Sequence, residues 1–104
     1  MARRTIDYID TLLESLKDPE EAVAYLNAAL EENSKEAFLL ALRNIADARG
    51  FVNVSRKAHL SRESMYRMLS EKGNPKFSSL SSLLDSLGLK IAVEVKAIKA
   101  IKGV

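Results

Sequence analysis

The residues best equipped for chemistry stand in AHLSRESMYRML, positions 58 to 69, and in the run SEKGNPKF at 70 to 77. Leu60, Met65 and Met68 keep helical spacing there, so Ser61, Arg62, Glu63, Ser64, Tyr66 and Arg67 share the opposite side. Arg pairs bidentately with guanine, Glu accepts from the cytosine amine, and Ser and Tyr reach bases or phosphates. Arg56 and Lys57 just before this helix, and Asn74 and Lys76 just after it, are suited to phosphate contacts. These are groups for reading a duplex rather than for breaking bonds. A solvated charged helix face has the same composition, however, and spacing alone leaves both readings open.

Catalytic and metal chemistry find less to work with. His59 is the single histidine, with Ser61 and Ser64 nearby, but no third group is in view to orient it and no oxyanion site accompanies it. No catalytic residue and no enzymatic activity are expected. There is no cysteine, and Glu20-Glu21 and Glu31-Glu32 read as helix-start charge and solvated surface, so neither a metal site nor a cofactor is expected. The glycines stand singly at the ends of elements and build no phosphate-cradling loop.

A helix must hold those polar residues, and a first helix must hold it in turn. Val54 and Ala58, on a short helix over about 53 to 58, can meet Leu60, Met65 and Met68 across a turn at His59, with small Ser55 where the pair approaches closely. The second helix is expected from Ser61 to about Glu71, ended by Lys72-Gly73-Asn74-Pro75. Upstream, Ile6, Ile9, Leu12, Leu13 and Leu16 make an amphipathic stripe. Asp18-Pro19-Glu20-Glu21 starts a second helix with Val23, Leu26 and Leu30 inward and Ala22 and Ala29 beside them. Ser34 caps a third, with Phe38, Leu39, Leu42, Ile45 and Ala46 inward up to Arg49-Gly50. Downstream, Ser78 or Ser79 is the expected cap of a last helix carrying Leu80, Leu83, Leu84 and Leu87.

The period then changes from helical to two. Leu89, Ile91, Val93 and Val95 alternate with Lys90, Ala92, Glu94 and Lys96, as in a half-buried strand. A lone strand leaves its backbone unpaired, so these four apolar residues are expected at a dimer or partner interface. In the tail KAIKAIKGV, Ile98 and Ile101 could extend that surface.

With 104 residues, 47% hydrophobic and 29% charged, the chain is the size and composition of one globular domain, rich in helix formers. The expected organisation is a single domain over 1–104: N-terminal helices in 1–33, a DNA-binding core in 34–88, a strand in 89–96 and a tail in 97–104. Residues 1–36 carry four Lys/Arg against nine Asp/Glu, while 37–104 carry twelve against five, so the second part is the one fit for a polyanion. MARRTIDYID lacks the apolar core of a signal peptide and no run of about 18 apolar residues occurs, so a cytoplasmic protein without membrane contact is expected.

Four segments together, YLNAALEE at 25 to 32, AFLLALRNIADARG at 37 to 50, LSRESMYRMLSEKGNPKFSSL at 60 to 80 and LGLKIAVEV at 87 to 95, resemble the addiction-module antidote (HigA-like antitoxin) family. The resemblance covers roughly residues 5 to 96. It implies a mainly α fold, a λ-repressor-like helix-turn-helix bundle with one C-terminal β-strand. It also implies a homodimer that binds double-stranded operator DNA, represses its own operon and neutralises a RelE-like toxin that degrades mRNA. His59 departs from the family's glycine at the turn, and Val52 from its Ser/Thr cap. Two further readings stand beside this one: a phage-type transcriptional repressor without a toxin, and a protein-interaction module that uses its acidic helices, with Glu14, Glu20, Glu21, Glu31 and Glu32, on a basic partner.

Overall fold

The computed structural model describes residues 2–96, with side chains described from Tyr8 onward. Six helices follow one another: α1 (Ala2–Ser15), α2 (Pro19–Glu31), α3 (Lys35–Arg49), α4 (Phe51–Ala58), α5 (Arg62–Met68) and α6 (Phe77–Ser86). Three of the starts are set by the expected side-chain caps. The Asp18 carboxylate accepts from Glu20 N, with Pro19 in the first turn; Ser34 Oγ accepts from Ala37 N; and Ser61 Oγ accepts from Ser64 N.

Helix α3 packs against α1, α2 and α4, and α4 packs in turn against α5 and α6. Leu16, Leu26, Leu39, Leu42, Ile45, Val54, Met65, Leu83 and Leu87 bury themselves in one continuous cluster along this chain of contacts. Burying each such side chain contributes about 1.5–3 kcal/mol. Two polar ties reinforce the packing: Asn44 Nδ2 donates to Tyr25 Oη at 2.9 Å between α3 and α2, and Arg49 spans three helices. Its Nε donates to the Leu16 carbonyl and its Nη1 to the Leu87 carbonyl, both at 3.3 Å, so one guanidinium at the end of α3 satisfies the ends of α1 and α6.

Several expectations are corrected. On α2 the buried face is Ala22, Leu26 and Ala29, while Val23 and Leu30 are 41% and 54% exposed. Small alanines let α2 approach α3 closely, and the larger side chains are turned to the rim of that contact. Ile9 is likewise exposed, and the side chain of Ile6 lies outside those described. Helix α4 begins at Phe51 on Gly50 without a side-chain cap, and Val52 sits inside its first turn. Helix α5 stops at Met68 instead of reaching Glu71, and the chain tightens there, with the Ser70 N–H and hydroxyl both bonding the Arg67 carbonyl, at 3.3 and 2.8 Å. Helix α6 starts on Lys76, directly after Pro75, and holds Ser78 and Ser79 within its first turn.

The 89–96 segment forms no strand within this chain; no strand occurs among the described residues. Leu89 reaches the core, but among the described residues those after it have no neighbouring strand to pair with. Ile98 and Ile101 of the tail lie outside the described residues. No helix among those described is long and apolar enough to cross a membrane.

The α4–α5 link has its own physical signature. His59 adopts the left-handed conformation, φ 59° and ψ 38°, its N–H bonding the Arg56 carbonyl while Leu60 N–H bonds the Ser55 carbonyl at 2.9 Å. That pair of bonds is the Schellman closure, which glycine makes without strain and histidine makes at a cost of about 1–2 kcal/mol. His59→Gly is therefore expected to raise stability by about 1 kcal/mol, and His59→Val, β-branched in the left-handed region, to lower it by a similar amount. Urea unfolding midpoints of the two variants check both signs.

Candidate nucleic-acid interface

Helix α5 is seven residues long and sits on α4 through one face. Val54, Ser55, Ala58, Met65 and Met68 are all buried between the two helices and the rest of the core, with Leu60 half-buried at the turn. The buried Ser55 hydroxyl donates to the Val52 carbonyl at 2.8 Å, so it enters the apolar contact with its hydrogen bond already made. The burial of Val54, Ser55, Ala58, Met65 and Met68 fits the sequence expectation, and Phe51 and Leu69, which the spacing did not single out, are buried as well.

The outer face carries the polar residues expected there. Arg62, Glu63 and Arg67 are exposed and Ser64 is half-buried. Ser61 is exposed too, but its hydroxyl accepts from Ser64 N at 3.0 Å and lies 2.9 Å from Ser64 Oγ, so it orders the helix start. Tyr66 is 47% exposed, and its ring stacks on Phe51 with centroids 4.2 Å apart and planes within 15°. The stacked ring is held by the start of α4, which fixes the direction in which the phenol reaches outward. Arg56 and Lys57 are exposed in the last turn of α4.

Ser64, Arg67, Asn74 and Lys76 come together along one shallow surface depression that runs from α5 across the following loop. Arg56, Lys57, Arg62 and Glu63 lie outside it. Lys72, Ser70 and Ser79 line the same depression and were not among the residues expected at the DNA surface. Lys72 belonged to a stretch read only as a helix stop. Its signal was the neighbouring glycine: a Cβ at Gly73 would collide with the Met68 carbonyl, so the loop rests directly on the end of α5. A loop pressed against that end carries its cation onto the same face as Arg67.

The depression holds three cations, Arg67, Lys72 and Lys76, and no acidic side chain. Such a surface attracts a polyanion and offers hydroxyl and amide groups to fix its position. Among the described residues no three His, Cys, Asp or Glu side chains gather as metal ligands.

Comparison with known proteins bears on the whole chain. Residues 6–95 match the sequence profile of a family described as "Probable addiction module antidote protein". A protein of Haemophilus influenzae described as uncharacterized is 40% identical over 81 residues, covering 78% of this chain and 84% of the relative. No solved structure gives a significant match.

The close approach at Gly73 yields a test of how the depression is assembled. Gly73→Ala is expected to lower stability by about 1–3 kcal/mol, because the new methyl meets backbone and not a yielding side chain. Gly88→Ala is the control: its Cβ would meet nothing within 4 Å, so its cost comes from the φ of +80° alone, about 1 kcal/mol. Amide chemical shifts of residues 70–76 should move in the first variant and stay in the second.

Proposed function

Because the chain belongs to the family of probable addiction module antidote proteins, we propose that it is the DNA-binding antitoxin of a type II toxin–antitoxin module, neutralising a RelE-like toxin and repressing its own operon. The family match over residues 6–95 carries the antitoxin part of this reading. The α4–α5 pair, with an apolar inner face and a cationic outer one, supports the DNA part.

In this reading α4 and α5 are a helix-turn-helix and α5 enters the major groove. Arg62 and Arg67 address guanine, Glu63 addresses a cytosine amine, and Ser64 and Tyr66 contact a base or an adjacent phosphate. Arg56, Lys57, Lys72, Asn74 and Lys76 hold the backbone on either side, which sets register without reading sequence. As a homodimer the protein places two α5 helices about 34 Å apart, one duplex turn, so its operator is a palindrome of that spacing. Occupying that site blocks transcription of the operon that encodes it.

The toxin is read as a basic RNA-cleaving protein that meets the acidic first third of the chain. Glu20, Glu21, Glu31 and Glu32 are exposed on or beside α2 and supply complementary charge, whereas Glu14 is matched locally by Lys17 at 3.1 Å.

Fluorescence anisotropy with the DNA upstream of the gene tests the first half. Arg62→Ala and Arg67→Ala are each expected to lose roughly 1–3 kcal/mol of operator affinity, about 5- to 150-fold, with relaxed specificity. Lys76→Ala should weaken all sequences alike and make the slope of log K against log salt shallower by about 1. Binding that ignores sequence in the natural protein would sink the repressor reading.

Co-expression with the product of the neighbouring small reading frame tests the second half. Growth rescue by the natural chain, lost when Glu20, Glu21, Glu31 and Glu32 are reversed to lysine, is the expected result. Rescue that survives the reversal places the toxin contact elsewhere.

A further inference from the structure

Residues 90–96 leave the core with an unusual burden. Val93 is 95% exposed and Val95 82% exposed, although Leu89, one step earlier in the same alternation, packs against the buried cluster. Among the described residues, the backbone of 90–96 makes no hydrogen bond after Leu89 N–H closes on the Leu84 carbonyl. Unpaired N–H and C=O groups beside bare valines form a strand edge waiting for a partner strand. A two-stranded ribbon is marginal by itself, but this one would emerge beside an apolar groove that includes exposed Val23, Leu30 and Phe77.

We propose that the partner is a second copy of the same segment, paired antiparallel about a two-fold axis at Ala92. The proposal rests on the dimeric reading above and adds the register. Antiparallel pairing about a two-fold sets each residue opposite one equally far beyond the axis, so only centring on a residue keeps the apolar side chains together on one face. Charge then chooses among the centres. Centring on Ala92 sets Lys90 opposite the partner's Glu94, twice per dimer, and sets Ile91 opposite the partner's Val93 and Leu89 opposite the partner's Val95. Centring on Val93 instead sets Lys90 opposite the partner's Lys96, again twice. Centring on Glu94 sets that carboxylate opposite its own copy, and centring on Ile91 leaves Lys90 and Glu94 without opposite charges. Opposed charges directly across a ladder stabilise it and like charges do the reverse, so the Ala92 register is the favoured one.

The natural chain has no cysteine, so a single introduced one reports register directly. Under mild oxidation at micromolar concentration, full-length Ala92→Cys is expected to cross-link to a dimer, its two Cα atoms falling within disulfide reach. Val93→Cys should stay uncross-linked, since in this register the two residues 93 lie diagonally, about 7–8 Å apart. Sedimentation equilibrium supplies the second arm. Lys90→Glu or Glu94→Lys alone should raise the dimer dissociation constant roughly 5- to 30-fold, and the double exchange should restore it. Circular dichroism melts confirm that each variant is folded. Preferential cross-linking at Val93, or a double exchange no better than the single ones, overturns the register. A chain that stays monomeric, or that pairs this segment only with the toxin, overturns the proposal altogether. Operator and rescue assays on the same variants report separately on the antitoxin reading.

Discussion

A seven-residue helix cannot hold itself together in water. Forming one turn fixes several dihedrals for a single hydrogen bond, so α5 exists because Met65 and Met68 are buried in the core laid down by α3, α4 and α6. Every residue on its outer face depends on that anchoring. Arg62 and Arg67 have long side chains and Tyr66 leans on Phe51, but their common direction is set by the buried methionines one to three positions away on the opposite side of the helix. Truncating Met65 thus bears on recognition as much as on stability, by removing about 2–5 kcal/mol of support.

The ends of the helices form a second system of constraints, made of carbonyls that lack helical partners. Gly88 and His59 both close a helix in the left-handed region, with matching pairs of backbone bonds. Asn33 also takes the left-handed conformation after α2, its N–H bonding the Leu30 carbonyl at 3.0 Å, and asparagine enters that region more readily than most side chains. Arg49 adds a further tie, reaching across to the ends of α1 and α6. Its Nη2 is buried without a partner, so the guanidinium meets two carbonyls and leaves a third donor unsatisfied. Joining three helix ends through one side chain concentrates the fold's closure in the arginine that ends α3.

These features were unevenly legible in the sequence. Side-chain caps act over two or three residues, and Asp18, Ser34 and Ser61 could be identified from their neighbours alone. The α4–α5 interface was legible for the same reason: its apolar spacing is local and its turn is short. The burial of α2 was not, since Val23 and Leu30 outweigh Ala22 and Ala29 in any count of hydrophobicity. Which side faces inward was decided by how closely α3 could approach, and that belongs to the pair. Pro75 marked the boundary before α6, yet the serines after it were inside the helix instead of capping it. Lys72 shows the same limit at the candidate site: its chemistry was visible, but its place beside Arg67 follows from a backbone contact at Gly73 that no spacing rule encodes. The alternation in 89–96 was legible as a pattern, but no strand forms there among the described residues.

Helix α6 joins the two surfaces on which the proposed function depends. It begins directly after Lys76, on the rim of the cationic depression, and leads through Leu87 and Gly88 into the segment proposed to pair with a second copy. Its ten residues span about 15 Å, and Leu83 and Leu84 are buried on the side where it packs against α4. A strut packed in this way transmits position without bending, so the placement of a dimer ribbon at one end governs where the α5 surface stands in each copy. Spacing between half-sites then depends on the register of the ribbon: a change of centre by one residue slides the two copies past each other by two residues, about 6.6 Å along the strand axis. That displacement is comparable to two base-pair steps of about 3.4 Å each. A charge pattern in the proposed ribbon would therefore act on DNA recognition through geometry.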